Sequence, residues 1–324
     1  MNTTKTILLI AATLLISVNS LFAQYGMGKT DDIIEMKNRT LIVVLASETD
    51  KEVMDKLTFT GHKEQIPFYQ KRAKEFNESL KASFQNYWPF KQTIIFKEWE
   101  EVKALYEAKN TDYAVALVFQ VNFTYNRNPS PFLDWNDSVT ISRSTSYLKV
   151  TLIEDLKKTF GIGLTGLANF FPTKTDIISG IYGLEYYMDV RMRGVGGLAA
   201  ITEAKLIDPK LKSMTLMIRK SDLAQKFTTD SVKKYYSYAY KVLDDSTMDK
   251  NILDKVSGMA YIMTAPFQND GQITYTQEIF DCETGDWLGA VFPDMMAVQY
   301  AGKAGRGKID KKVFLKLTQQ INGK

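Results

Sequence analysis

Two kinds of apolar pattern recur along the chain. RTLIVVL (39–45) and MTLMI (214–218) are short, continuous apolar runs that predict buried strands. Elsewhere apolar residues return at helical spacing. Ala73, Phe76, Leu80 and Phe84 share one face of a predicted helix over 66–87, entered at Pro67. Val313, Phe314, Leu317 and Ile321 do the same over 311–321, a helix expected to dock on the second half. Strict alternation marks SYLKVTLIED (146–155). In YTQEIFDCETGDWLG (275–289) the alternation breaks at Thr284-Gly285, which predicts strand, tight turn, strand.

The halves carry these elements in the same order. After each apolar strand comes a helix, then an aromatic phrase, NYWPFKQTII (86–95) or KYYSYAYKVL (234–243). Tyr87 aligns with Tyr235, Trp88 with Tyr236, Phe90 with Tyr238, and Ile94-Ile95 with Val242-Leu243, an offset of 148. At that offset Leu105 meets Leu253 and Tyr113 meets Tyr261 without a gap. Each copy continues with an amphipathic helix, roughly 98–108 or 246–256, and a strand, DYAVALVF or MAYIMTA. The constant offset favours duplication over chance. The expected class is α/β, with α+β as the alternative: two similar βαβαββ modules, each a small mixed sheet with helices packed on it. The first module is placed at 39–155 and the second, with its C-terminal helix, at 214–324. Between them, 156–213 has Gly at 161, 163, 166, 180, 183, 194, 196 and 197 and reads as an irregular connector with short helices.

Residues 1–23 read as a secretory leader: Lys5, then an apolar core from Ile7 to Val18, ending at Leu21-Phe22-Ala23. A mature chain beginning at Gln24, with a tail over 24–38, is expected to be exported to the periplasm or the periplasmic face of the outer membrane, with secretion as an alternative. No Cys lies near that junction to carry a lipid anchor, and no later apolar run is long enough to span a bilayer. The formal charge is +4, or +3 once Lys5 is removed, and the basic residues are scattered among acids, which speaks against nucleic-acid binding. One Cys and one His nearly exclude a disulfide and a standard zinc site. His62, in LTFTGHKEQIP, reads as a solvated loop residue. Cys282, between Asp281 and Glu283, is expected to be an unreactive free thiol.

Three letter motifs do not survive their structural requirements. GIGLTG (161–166) matches G-x-G-x-x-G, but EDLKKTF separates it from the preceding strand and Pro172 follows closely, so no βαβ cradle for pyrophosphate is expected. AGKAGRGKI (301–309) approaches a P-loop, yet Ile309 stands where Ser or Thr must bind magnesium. DCETGD (281–286) places Gly285 and Asp286 out of EF-hand register and reads as a β-turn. No catalytic, cofactor or metal residues are therefore assigned. The uncharged stretch 159–171 reads as a buried connector, with peripheral membrane contact as its alternative.

YNRNPSPFLDWND (125–137) is the candidate recognition loop: Tyr125, Phe132 and Trp135 offer aromatic faces, and Arg127, Asp134 and Asp137 offer polar edges. That combination suits a glycan or a peptide.

YKVLDDSTMDKNILDKVSGMAYIMTAP with YTQEIFDCETGDWLGA resembles the small α/β modules of the TolB amino-terminal domain and the CsgG-like curli-secretion family. Tyr261 and Thr264 fill their core-strand pattern, and Asp281, Thr284, Gly285 and Leu288 fill their D-x-x-T-G-x-x-L strand end. The first half lacks the Thr-Gly turn, and no channel-forming hairpins are evident, so the pore function does not carry over. The resemblance implies a non-enzymatic bacterial envelope module that binds other envelope proteins. The alternative is a carbohydrate- or peptide-binding protein, or an envelope hydrolase, using the 125–137 loop.

Overall fold

The computed structural model describes residues 28–323, apart from 60, 123–125, 129–143, 159–160, 170–171, 197, 225–226, 270–271 and 293–306. The chain divides after Met192 into two compact units.

In the first unit α1 (Thr30–Asn38) leads into β1 (Thr40–Leu45). Then follow α2 (Lys51–Phe59), α3 (Ile66–Tyr87), β2 (Ile94–Glu98), α4 (Trp99–Glu107) and β3 (Tyr113–Asn122). The sheet is completed by β4 (Asn126–Asn128), β5 (Ser144–Leu152) and β6 (Gly163–Leu167), and the unit ends in α5 (Lys174–Met192). Strand order is β2-β1-β3-β5-β6, with β4 on the end of β3. The three N-terminal strands are parallel and β5 and β6 antiparallel.

Strand alternation sorts the apolar side chains into two layers. Leu41, Val43, Ala114, Ala116, Leu148 and Val150 pack with residues of α1, α2, α3 and α5. Ile42, Val44, Val115 and Leu117 pack on the other face with Val102 of α4. Helices thus cover both faces, which is why β1 reads as a continuous apolar run.

The second unit opens with α6 (Leu198–Ala204) and repeats the scheme. Its elements are β7 (Thr215–Arg219), α7 (Thr229–Tyr235), β8 (Tyr240–Leu243), α8 (Asp245–Leu253), β9 (Met259–Asn269), β10 (Gln272–Asp281), β11 (Trp287–Val291) and α9 (Lys311–Ile321). Strand order is β8-β7-β9-β10-β11, the same path with the same parallel and antiparallel pairings. Phe314, Leu317 and Ile321 of α9 are buried against Leu216, Ala260, Ile262 and Ile279. On the other face Asn251 of α8 touches Met217, 3.4 Å from Nδ2 to Sδ.

Three expectations are corrected. Both modules run to one strand more than βαβαββ; the first also has the short β4, and in the second the added strand, β11, is the one expected after the Thr284-Gly285 turn. In the first module the added strand is β6, and with α5 it removes residues 163–192 from the supposed connector. The glycines there allow close packing. A Cβ on Gly163 would lie 2.8 Å from Leu184 Cδ2, and one on Gly180 2.7 Å from Leu167 Cδ2. Small residues let α5 lie directly on β6, and their flexibility is not expressed as a loop.

The repeat offset also changes within the module. α3 and α7 end at Tyr87 and Tyr235, and the next amides, Trp88 and Tyr236, donate to Phe84 and Val232 carbonyls, which keeps the offset of 148. Beyond that point it is 146. Ile94 and Ala114 flank Leu41 as Tyr240 and Ala260 flank Leu216. α4 and α8 are both nine residues long, and each is followed by a lysine in the left-handed region, Lys109 (φ 55) and Lys255 (φ 52). The amides of Asn110 and Val256 close the same turn on Leu105 and Asn251 carbonyls, at 3.1 and 3.2 Å. The aromatic turn is thus two residues shorter in the second copy. Tyr113 corresponds to Met259, and Tyr261 to Val115.

The end of β1 is held by α3. Asn77 Oδ1 accepts from Ala46 N, and Nδ2 donates to Ala46 O, both at 2.9 Å and buried. Asn77→Ala leaves both backbone groups without their partner. It should cost about 2–3 kcal/mol, read as a lowered thermal midpoint against wild type.

Candidate functional site

The recognition loop falls largely outside the described residues: Tyr125, Phe132, Asp134, Trp135 and Asp137 all do. Of its members the structure places the backbone of Arg127, in β4 opposite Val121. The stretch 159–171 is described from Gly161 to Asn169, and there Ile162, Leu164 and Leu167 are buried. Those residues serve β6 and the core beneath α5, so they present no apolar surface to a membrane. The strand runs through the G-x-G-x-x-G letters rather than ending at them, which removes the phosphate-binding geometry of that motif.

The 281–286 turn is resolved in detail. Asp281 Oδ1 accepts from the amides of Glu283 (2.9 Å) and Thr284 (3.3 Å), and Gly285 N donates to Asp281 O at 2.9 Å. Gly285 takes φ 82, a conformation glycine adopts without Cβ strain. The other Asp281 oxygen pairs with Lys210 Nζ at 2.5 Å. The carboxylate is thus committed to shaping the turn.

Cys282 is buried, and its thiol donates to Asn251 O at 3.2 Å. Burial, with a smaller contribution from Asp281, pushes its pKa up to about 11. A thiolate is the reactive form. Cys282 should therefore react with a thiol reagent at neutral pH far more slowly in folded than in unfolded protein, and comparable rates would contradict this placement. His62 is exposed, with Nδ1 3.5 Å from Glu64 Oε1.

Each module also buries one ionisable side chain at the same sheet position, which periodicity alone did not single out. Ala114 faces Leu152 and Ala260 faces Asp281, so Lys149 and Glu278 correspond. Lys149 Nζ donates to the carbonyls of Leu156 (3.0 Å) and Lys158 (2.5 Å). Glu278 is 3% exposed and lies between Met263 and Ala290 in register. No hydrogen bond or ion pair joins its carboxyl to another described residue, and burial raises its pKa to about 8.

At the C-terminal end of β7, Arg219 is buried and pairs with Asp249 (2.7 Å) and Asp245 (3.9 Å), while Ser221 Oγ donates to Asp245. In the first unit an open cavity of about 620 Å3 is lined by Asp31, Ile34, Glu35, Asn38, Arg39, Thr40, Thr111 and Asp112. Its one cation, Arg39, is paired with Glu35 and Glu154, and that hydrogen bond holds the Glu154 carboxyl below its ordinary value. Lys308 of the P-loop-like letters donates to Ser221 O, and Ile309 is buried beside Leu223. Among the described residues no three His, Cys, Asp or Glu side chains are grouped to hold a metal ion. The chemistry in view is that of hydrogen bonding and ion pairing. No protein-family model, curated protein or solved structure matches the chain.

Proposed function

We propose that the chain is an exported bacterial envelope protein whose tandem α/β modules bind other envelope proteins, without catalysis. The observation that carries this reading is the module repeated with one strand order in both units. It accords with the resemblance of the second half to TolB-type and CsgG-like modules, which implies assembly roles. The loop 125–137 supplies the recognition surface in this reading, and residues 1–23 the address.

The test is affinity capture of tagged, crosslinked protein from envelope extract, set beside a glycan array. The expected result is one or a few protein partners recovered in stoichiometric amount, with recovery reduced by Trp135→Ala and no array signal. A specific glycan signal without a protein partner would overturn the reading in favour of a carbohydrate binder.

A further inference from the structure

The most exposed large apolar side chain among the described residues is Phe59, at 93%, and Phe68 is 53% exposed. Both positions follow from helical geometry. α2 buries Val53 and Leu57, and Phe59, two residues past Leu57, points to the opposite side. α3 buries Tyr69, Ala73, Phe76 and Leu80, leaving Phe68 beside that stripe. The helices meet at a tight corner: His62 N donates to Leu57 O at 2.7 Å and Gln65 N to His62 O at 3.0 Å. Phe59 ends α2 and Phe68 is the third residue of α3, so the two residues flank the corner between these helices.

The surrounding charge is basic. From 59 to 75 the chain carries Lys63, Lys71, Arg72 and Lys74 against Glu64 and Glu75, a net +2. The Arg72 guanidinium lies over the Phe68 ring, 5.2 Å from its centroid, and Lys63 and Lys71 are exposed. A ring exposed at 93% protrudes, so its complement must receive a convex group. Protruding aromatics flanked by long cationic side chains match a bilayer interface. The rings enter at headgroup depth, and ammonium and guanidinium groups reach lipid phosphates while their methylenes stay apolar.

We infer that the Phe59–Phe68 corner is a peripheral membrane-binding site for anionic bilayer surfaces. This goes beyond the protein-binding reading and does not depend on it. It also moves membrane contact away from 159–171, where Ile162, Leu164 and Leu167 are buried.

The test is co-sedimentation of the mature chain with vesicles of phosphatidylethanolamine and phosphatidylglycerol, and with phosphatidylcholine alone. Wild type should bind the anionic vesicles, and binding should weaken as salt rises. Phe59→Ser with Phe68→Ser should lower the partition by roughly tenfold or more, with an unchanged thermal midpoint. Leu206→Ser, removing an apolar side chain 66% exposed in the other unit, should bind like wild type. If the double variant misfolds, Lys63→Glu with Lys71→Glu carries the same test through loss of the anionic preference. Absence of wild-type binding, or equal binding by folded Phe and Lys variants, would overturn the proposal. So would loss of a captured protein partner by the Phe variant when neither protein binds vesicles, because the corner would then be a protein-docking site.

Discussion

Glu278→Gln should raise the thermal midpoint near pH 9 and leave it almost unchanged near pH 5. The carboxyl sits mid-strand between Met263 and Ala290, on the face that holds the stacked rings of Tyr261 and Phe280. Burial raises its pKa from 4.5 to about 8. A carboxyl whose folded pKa exceeds its unfolded value leaves stability intact below about pH 4.5. Stability then falls with rising pH, because the unfolded chain ionises first, and levels off above about pH 8. Across that window the loss is roughly 4 kcal/mol. Glutamine is neutral throughout but still buries an amide, so the gain at alkaline pH should be roughly 2 kcal/mol or more. Midpoints of both proteins from pH 5 to 9 decide it. A difference that does not grow with pH would mean that Glu278 has a counter-charge in solution.

Tyr261→Ala should cost about 3–5 kcal/mol. Tyr261 is 0% exposed, with its ring 5.4 Å from Phe280, and its removal opens a cavity beneath that stack. Tyr113 is only half-buried at the first position of β3, so Tyr113→Ala should cost well under half as much, about 1–2 kcal/mol. Had the two tyrosines been equivalent, their losses would match. Denaturant unfolding of both variants distinguishes these outcomes.

The elements that the sequence made legible were those whose local signal and tertiary role agree. α3 begins at Ile66 with Pro67 in its first turn, as Pro prefers, and α9 presents the apolar face read from its periodicity. The β10–β11 turn followed from Asp281 and Gly285. What misled was also local. Glycines at 161, 163, 166, 180 and 183 signal loops in isolation, whereas Gly163 and Gly180 let a helix approach a strand. That purpose is visible only once α5 and β6 are together. The repeat is legible in the sequence, but an offset read from the aromatic turn runs two residues too long beyond it. A slip of two in a strand returns every side chain to the same face, so the burial pattern could not reveal it. Glu278 was hidden because an acid between Gln277 and Ile279 looks like the exposed half of an alternating strand. The recognition loop, Tyr125 to Asp137, rests on composition alone.

The central claim is that both units are built on one plan, matched residue by residue around α4 and α8. Lys109 and Lys255 test it most directly. They are the described non-glycine residues with positive φ, each just past the end of a nine-residue helix. Left-handed backbone disfavours a side chain and favours glycine at that position. Lys109→Gly and Lys255→Gly should each raise stability by about 0.5–1 kcal/mol, and the double variant by their sum. At an offset of 148 the partner of Lys109 would instead be Ser257. Matching gains at Lys109 and Lys255 in thermal unfolding are the predicted result. A gain at one position with a loss at the other would contradict the shared plan.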